Sequence, residues 1–415
     1  MRRAVSVPTR ASMNPTSAAS LSVASRAPDA RSPFVRLTEL LGDSKPGMPP
    51  INLSVGEPQH PIPPFVGPVL TAHLADFGRY PPNKGSDRFC AAAATWLTRR
   101  YALARPVDPA REVVVLAGTR EGLYLAALSA RRFVKSRPGR PAILIPNPFY
   151  AVYAAGALAA DCEPVYLAAD AHSDFLPDLH ALSPDLLART VALYLASPSN
   201  PQGAVASEAY LDRAIALARA HGFMLFADEC YSEIYSHTKP TGMLERAGAE
   251  FSNVVVFHSL SKRSSLPGLR VGFAAGDADF LKAYLDLRSV AAPQIPLPVQ
   301  EVAVTAYNDE AHVEENRRLY KAKFDLADQI LGDRYNYVRP QGGFFLWLNV
   351  AEFGGDDEIA LKLWREAGVR VVPGRYLARS GADGRNPGEG YIRVAMVQNQ
   401  EATAEALHRL VSVLG

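Results

Sequence analysis

The chain has 415 residues, of which 48% are hydrophobic and 21% are charged. Its 44 basic and 42 acidic side chains leave a net charge of +2, and no apolar run reaches the roughly 18 residues of a membrane-spanning helix, so we expect no nucleic-acid or membrane partner. Three scattered cysteines are too few for a disulfide framework or a CxxC metal site, which predicts a cytoplasmic protein without a bound metal.

The N-terminal end differs from the rest of the chain in composition. Residues 1–31 contain five arginines, many Ser and Ala residues and a single acidic residue, Asp29. This bias is typical of an organellar transit peptide, but a disordered tail or a start codon upstream of Met13 explains it equally well. We therefore treat residues 1–33 as a disordered or targeting-like extension.

From about residue 112, short apolar runs alternate with amphipathic stretches. The strand candidates are EVVVLAG, AILIPN, EPVYLAA, TVALYLASP, FMLFADE, NVVVFHS and VGFAAGD. Between several of them apolar residues recur every three or four places, as in REGLYLAALSARRFVK and SEAYLDRAIALARAHG. Because continuous Val, Ile and Leu runs are typical of strands buried on both faces, the pattern predicts an α/β fold with a mostly parallel central sheet flanked by helices.

After about residue 305 the pattern changes. A long charged helix is followed by FFLWLNV, a helix at EIALKLWREAG, the short run VRVV and finally YIRVAMV, which predicts a smaller α+β lobe. We therefore predict a segment at 34–62 that contributes to the small domain, a large domain at 63–305 and a small C-terminal domain at 306–415.

The loops after the predicted strands are the place to look for a site, because ligands of open α/β sheets lie beyond the carboxyl ends of the strands. After EVVVLA, residues Gly118, Thr119 and Arg120 open a helix whose free backbone N–H groups can bind an anion. An ordinary helix N-cap explains this stretch equally well. The dinucleotide and P-loop fingerprints are absent from the sequence.

Three further loops carry polar residues at strand ends. Asn200 lies in SPSNPQG, which is also typical of a plain turn. Asp228 ends FMLFAD three residues before Tyr231, and a buried carboxylate there needs a cationic or N–H partner, unless it only caps the next helix. Lys262 follows NVVVFH in SLSKRSSLPGLRVGF, where an amine without a partner is costly to desolvate.

In their order and spacing, these loops resemble the cofactor site of class I and II aminotransferases, which use pyridoxal phosphate. SLSKRSSLPGLRVG fits the lysine signature of that family, and the resemblance extends from about residue 34 to the end of the chain. It implies the fold-type I architecture of pyridoxal-phosphate-dependent transferases, with the cofactor in the large domain. The implied reaction moves an amino group from a small-molecule amino donor to a 2-oxo acid acceptor.

The resemblance implies roles around the cofactor ring. Lys262 bonds to the cofactor aldehyde and carries a proton to and from the substrate. Asp228 pairs with the pyridine nitrogen and keeps it protonated. Asn200 and Tyr231 donate hydrogen bonds to the phenolic oxygen of the ring. Tyr150, in NPFYAVY, stacks on the ring, although a core tyrosine is the alternative interpretation.

The resemblance also implies contacts with the cofactor phosphate. They come from the loop at Gly118, through the backbone N–H groups of Thr119 and Arg120, and from the side chains of Ser259, Ser261 and Arg270. Tyr80, in GRYPPNKG, corresponds to a tyrosine that reaches the phosphate bound by the neighbouring subunit. This correspondence implies a homodimer with shared active sites.

Two residues correspond to substrate-binding positions of the family. Arg393, in GEGYIRVAMV, corresponds to the arginine that binds the α-carboxylate, because a guanidinium presents two parallel donors. A strand-end arginine paired with Glu389 is the alternative interpretation. Gly56, in LSVGEPQHP, corresponds to a glycine whose backbone lies close to that carboxylate, where a larger residue would not fit.

Within the family, strings such as AGTREGLYLAA, FHSLSKRSSLPGLRVGFAAGD and NPGEGYIRVAMV are most similar to the N-succinyldiaminopimelate aminotransferases of bacterial lysine biosynthesis. The implied reaction transfers an amino group from glutamate to N-succinyl-2-amino-6-oxopimelate. Because that substrate carries several carboxylates, Arg120, Arg263 and Arg375 are candidates for cations at the mouth of the site, and each is equally explained as a solvated arginine.

Three alternative functions fit the same residues. A broad-specificity aspartate or aromatic aminotransferase would use the same cofactor contacts, and so would a pyridoxal-phosphate-dependent lyase or synthase of this fold. The third alternative is an aminotransferase-like regulator that senses the cofactor. It would need a DNA-binding winged helix ahead of the fold, whereas the extension here is short, Ser/Ala/Arg-rich and unpatterned.

Overall fold

The computed structural model describes residues 31–381 and 383–415. The prediction for the N-terminal extension therefore lies almost entirely outside the described residues. In the part of the chain that is described, none of the helices combines the length and the apolar character needed to cross a membrane.

Helices and strands alternate along most of the chain. The helices are α1 Pro33–Leu41, α2 Val66–Ala72, α3 Asp87–Arg100, α4 Thr119–Phe133, α5 Ala151–Ala159, α6 Pro184–Arg189, α7 Glu208–His221, α8 Met243–Ala247, α9 Leu260–Arg263, α10 Ala278–Ala291, α11 Leu297–Asn308, α12 Ala311–Leu331, α13 Asp356–Ala367 and α14 Gln400–Leu414. The strands are β1 Ile51–Asn52, β2 Val113–Leu116, β3 Ala142–Asn147, β4 Glu163–Ala168, β5 Thr190–Ala196, β6 Met224–Asp228, β7 Val254–Ser259, β8 Gly272–Gly276, β9 Phe345–Asn349, β10 Val369–Arg370, β11 Val372–Pro373 and β12 Tyr391–Ala395.

The central sheet confirms the α/β prediction. Its seven strands, counted over the described residues, lie in the order β2-β8-β7-β6-β5-β3-β4. Neighbouring strands are parallel except where β8 pairs with β2 and β7. Each strand overlaps one of the apolar runs identified in the sequence.

Helices cover both faces of this sheet, which is why its strands are apolar throughout. In β7, Val254 and Val256 belong to one core cluster with apolar side chains of α3, α7 and α11. Val255 and Phe257 point to the other face, where they share a second cluster with α4, α5 and α10. The alternation follows from the two-residue period of a strand.

The register of the sheet positions the site. In the ladder, Asp228 at the end of β6 lies opposite Ala196 of β5 and Phe257 of β7. Ser259, the last residue of β7, lies opposite Gly272 of β8. The loops after β5, β6 and β7 therefore leave the sheet at the same edge, as expected for the carboxyl ends of parallel strands.

The C-terminal part forms a separate small sheet. Strands β11, β12 and β9 are antiparallel, and β1 forms a parallel pair with β10. The run VRVV was predicted as one strand, but Val371 separates β10 from β11 because the two strands pair with different neighbours. Strand β1 lies in the segment 34–62, and β10 lies in the part of the chain predicted as the small domain. The domain boundaries at 62/63 and 305/306 stay a prediction.

Candidate active site

The guanidinium of Arg270 lies at the N-terminus of α4, in the space that Gly118 leaves because it has no side chain. Gly118 has φ +79°, and a Cβ atom at this position would overlap the guanidinium of Arg270. Arg270 donates hydrogen bonds to the carbonyl oxygens of Pro267 (2.9 Å) and Ala117 (3.2 Å) but forms no ion pair with a carboxylate of the described residues. An unpaired cation beside the free N–H groups of a 15-residue helix makes an anion site.

Two serine hydroxyls lie on the neighbouring loop. The Ser259 hydroxyl accepts a hydrogen bond from the backbone N–H of Ser261 (3.1 Å) and lies 2.9 Å from the Ser261 hydroxyl. The backbone N–H of Leu260 donates to the carbonyl oxygen of Val271, the residue after Arg270. The structure therefore brings the predicted phosphate contacts at residues 118–120, 259, 261 and 270 to one edge of the sheet.

Asp228 is a buried carboxylate without a cationic partner. Its Oδ2 accepts a hydrogen bond from the Tyr153 hydroxyl (2.7 Å), and its Oδ1 accepts one from the backbone N–H of Cys230 (3.2 Å). No Lys or Arg of the described residues forms an ion pair with it. Burial raises its pKa above the usual range for a carboxyl group. A cation at this position would remove that desolvation cost.

Tyr153 was not among the residues predicted from the sequence. Its ring makes an edge-to-face contact with Tyr150, with 5.8 Å between the ring centroids, and so connects Tyr150 to Asp228. Tyr150 in turn accepts a hydrogen bond from Arg120 Nε (2.7 Å). Tyr153 follows Tyr150 by one helical turn in NPFYAVY, and this i, i+3 spacing was a signal that could have identified it.

Lys262 is largely buried and has no counter-ion among the described residues. Its amine donates a hydrogen bond to the carbonyl oxygen of Gly56 and lies 5.2 Å from the centre of the Phe344 ring. Burial lowers the pKa of Lys262 to about 8. No carboxylate among residues 31–381 and 383–415 forms an ion pair with it. At pH 7 roughly a tenth of this amine is therefore unprotonated, far more than of an ordinary lysine, and a nucleophile or base needs that form.

Arg393 is a third buried charge, and the alternative pairing with Glu389 is wrong, because Glu389 contacts Arg375 instead. The Nη1 of Arg393 donates to Asn200 Oδ1 (3.1 Å), and its Nη2 donates to the carbonyl oxygen of Ser54 (2.8 Å). Its Nε atom is buried and has no hydrogen-bond partner. Burial lowers the pKa of Arg393 to about 10. Among the described residues the guanidinium has no carboxylate partner.

Two phenylalanine rings lie against the charged groups of Lys262 and Arg393. The Arg393 guanidinium lies 4.4 Å from the centre of the Phe345 ring. Tyr231 contacts the rings of Phe344 and Phe345 edge-on, and burial raises its pKa well above the usual range of a phenol. A Cβ atom on Gly56 would lie 2.6 Å from Phe345 Cζ, so only glycine fits at this position.

Three candidate residues lie elsewhere. The side chain of Tyr80 is 93% exposed and contacts none of the other predicted site residues of its own chain. Arg263 is buried and pairs with Glu310 (2.8 Å), and Arg375 pairs with Asp356 (2.6 Å). Arg263 and Arg375 are therefore neutralised by carboxylates and do not serve as free cations at the mouth of the site.

Such a combination of buried groups suits one cofactor. An aldehyde can bond to the buried amine of Lys262, a protonated ring nitrogen can pair with Asp228, and a phosphate can occupy the anion site beside Arg270. The fold and the site thus define a pyridoxal-phosphate-dependent enzyme of fold type I. The chain belongs to the class I and II aminotransferase family, whose sequence model matches residues 49–410.

Individual relatives agree with this assignment. The chain is 32% identical to the LL-diaminopimelate aminotransferase of Desulforudis audaxviator, over 92% of this chain and 95% of that protein. Among solved structures, an aminotransferase from Neisseria meningitidis has a TM-score of 0.87 and 37% identity, covering 93% of this chain and 98% of the other. A probable N-succinyldiaminopimelate aminotransferase from Thermus thermophilus has a TM-score of 0.81 and 27% identity, covering 92% and 100%.

These comparisons confirm three of the predictions made from the sequence. The architecture is that of fold-type I aminotransferases, the cofactor is pyridoxal phosphate, and the reaction transfers an amino group between small-molecule amino donors and oxo acids. The roles of individual residues are not tested by these comparisons and stay predictions.

Proposed function

We propose that this aminotransferase acts in diaminopimelate and lysine biosynthesis and transfers an amino group from glutamate to N-succinyl-2-amino-6-oxopimelate. The observation that carries amino transfer is that Lys262, Asp228 and Arg393 are largely or fully buried and that none of them has a counter-ion among the described residues. The substrate class is supported by relatives whose names contain diaminopimelate, one of which is the probable N-succinyldiaminopimelate aminotransferase.

Pyridoxal phosphate supplies an electron sink that stabilises negative charge at the α-carbon of an amino acid. We assign Lys262 to hold the cofactor and to move the proton to and from that carbon. Asp228 would keep the ring nitrogen protonated, and Tyr153 holds the carboxylate in place. Asn200 and Tyr231 would donate hydrogen bonds to the phenolic oxygen.

The phosphate would be bound at the edge of the sheet described above. The contacts we assign to it are the N–H groups that follow Gly118, at Thr119 and Arg120, the hydroxyls of Ser259 and Ser261, and the guanidinium of Arg270. Tyr150 would stack on the ring, since its hydroxyl is held by Arg120 and its ring lies against Tyr153.

The α-carboxylate of the substrate would bind Arg393 beside the backbone of Gly56. This assignment explains why a guanidinium is buried here at a cost in desolvation, because an incoming carboxylate completes its ion pair. Of the three arginines considered for the further carboxylates, only Arg120 forms no ion pair with a carboxylate of the described residues, so it is our candidate for that contact.

A panel of amino acceptors tests the substrate. With glutamate as donor, we expect the highest kcat/KM for N-succinyl-2-amino-6-oxopimelate, with one 2-oxoglutarate formed per amino group transferred. The comparison acceptors are oxaloacetate and phenylpyruvate, and unsuccinylated LL-diaminopimelate is assayed as a donor to 2-oxoglutarate. Brisk turnover of LL-diaminopimelate or oxaloacetate with negligible turnover of the succinylated acceptor would contradict the proposal. Loss of glutamate without stoichiometric amino transfer would instead indicate a lyase.

We further propose a homodimer in which Tyr80 reaches the phosphate site of the partner subunit. The side chain of Tyr80 is 93% exposed, and Ile62 (61%), Leu74 (57%) and Phe77 (55%) are exposed in the same stretch, so this part of the chain offers apolar side chains that a partner subunit would cover. Light scattering should give twice the chain mass of 44.9 kDa. A fully active monomer at micromolar concentration would contradict the shared site.

A further inference from the structure

The short helix that carries Lys262 ends against the side chain of Asn316. Helix α9 has only four residues, so its last carbonyl groups have no partner within the helix. Asn316, on α12, donates hydrogen bonds from Nδ2 to the carbonyl oxygens of Lys262 (3.0 Å) and Arg263 (3.2 Å). The amide is buried, and it holds the backbone of the lysine itself.

The other end of the Asn316 amide is also fully used. The Ser265 hydroxyl donates to Asn316 Oδ1 (3.0 Å), and His60 Nδ1 lies 2.6 Å from the same oxygen. Burial lowers the pKa of His60 to about 4, so the ring is neutral near pH 7 and its Nδ1–H can donate. With donors around the oxygen and carbonyl groups around the nitrogen, the amide has one favourable orientation.

His60 connects this contact to the amine of Lys262. His60 lies four residues after Gly56, whose carbonyl oxygen accepts the hydrogen bond from Lys262 Nζ. Asn316 therefore contacts the backbone of Lys262 directly, and through His60 it also holds the segment that covers the amine. Asn316 thus contacts the backbone at one end of the lysine and the last residue of the segment 56–60, whose first carbonyl oxygen accepts from the other end.

We propose that Asn316 is a positioning residue that sets where the Lys262 amine lies relative to the carbon from which it takes a proton. This inference rests on the role proposed for Lys262 and adds a residue that the spacing of the sequence motifs did not indicate. Misplacing a reacting group by about 1 Å can reduce the rate on the order of 10²-fold, so the contact has a measurable consequence.

The test uses Asn316→Asp, which keeps the shape of the side chain but removes its donors. We expect kcat to fall about tenfold or more, while KM for both substrates changes less than about twofold, because the contacts of Arg393 are untouched. The matched control is Asn308→Asp at an exposed amide that donates to the carbonyl oxygen of Val304 (3.0 Å). The control should keep wild-type kcat within about twofold.

A second variant and a second measurement separate positioning from stability. Asn316→Ala removes the donors without adding a buried charge, and it decides the question if Asn316→Asp does not fold. The pH dependence of the absorbance of the lysine-bound cofactor should shift in both variants and stay unchanged in Asn308→Asp. A variant that is less stable to heat but has unchanged kcat and an unchanged absorbance titration would overturn the inference.

Lys262→Ala, assayed alongside, keeps the two proposals distinct. If this variant retains turnover, the role of Lys262 is wrong and the inference about Asn316 is overturned with it. If Lys262→Ala is inactive while both Asn316 variants keep wild-type kcat, only the inference about Asn316 is overturned.

Discussion

Replacing Lys262 by Ala should reduce turnover at least about 10³-fold while the protein still binds pyridoxal phosphate. The phosphate contacts at Arg270 and at the start of α4 are independent of the lysine, so the cofactor keeps most of its non-covalent contacts. What is lost is a buried amine with a pKa of about 8, close enough to neutrality to act as both base and acid. No other described lysine shares this position against Gly56 and Phe344.

Lys282→Ala is the control for this experiment, because Lys282 is exposed on α10. Steady-state kinetics should show no change for the control. Borohydride reduction followed by peptide mass analysis should place the cofactor mass on the peptide with Lys262 in the wild type and in Lys282→Ala, but not in Lys262→Ala. Wild-type turnover in Lys262→Ala would remove this residue from the mechanism.

The central sheet could be predicted because each of its strands is a run of consecutive apolar residues in the sequence. A strand covered by helices on both faces must be apolar at each position, as in Val254, Val255 and Val256, and such runs stand out against amphipathic helices. The strand VRVV was harder, since the break at Val371 is set by which strands pair with it rather than by its own residues.

The candidate site was predictable where one residue type at one strand end carries the chemistry. Asp228 ends a recognisable strand, Asn200 and Lys262 each follow one, and the structure places the loops after these strands at one edge of the sheet. The ion pairs of Arg263 and Arg375 were not predictable in the same way. Arg263 meets Glu310, 47 positions along the chain, and only the packing of the helices brings them together.

Tertiary contacts also account for the groups that the sequence did not reveal. Asn316 lies on a helix of the C-terminal part, 54 positions from Lys262, and its neighbours in the sequence are charged residues that give no sign of a contact with the lysine. Phe344 and Phe345 were read only as part of a strand. The Phe345 ring reaches Arg393 because β9 and β12 pair in register, with Arg393 opposite Trp347, two residues along β9 from Phe345, whereas the contact of Phe344 with Lys262 joins two parts of the chain that share no sheet.

The second large effect concerns Arg393, whose replacement by Met should reduce kcat/KM by about 10²-fold or more, mainly through a higher KM. Without the guanidinium, the α-carboxylate of each substrate loses its planar pair of donors. Arg393→Lys should recover only part of the loss, since an ammonium group cannot form the two parallel hydrogen bonds. Arg385→Met is the control, because Arg385 is largely exposed and pairs with nearby Asp383.

Stability should respond in the opposite direction to activity. Arg393 is buried without an anionic partner among the described residues, its Nε makes no hydrogen bond, and burial lowers its pKa to about 10. A well-packed apolar side chain removes that desolvation cost, so the Tm of the substrate-free Arg393→Met protein should equal or exceed the wild-type value. Added substrate should raise the Tm of the wild type but not of the variant. A strongly destabilised Arg393→Met with near-normal KM would show that the arginine supports the fold rather than the substrate.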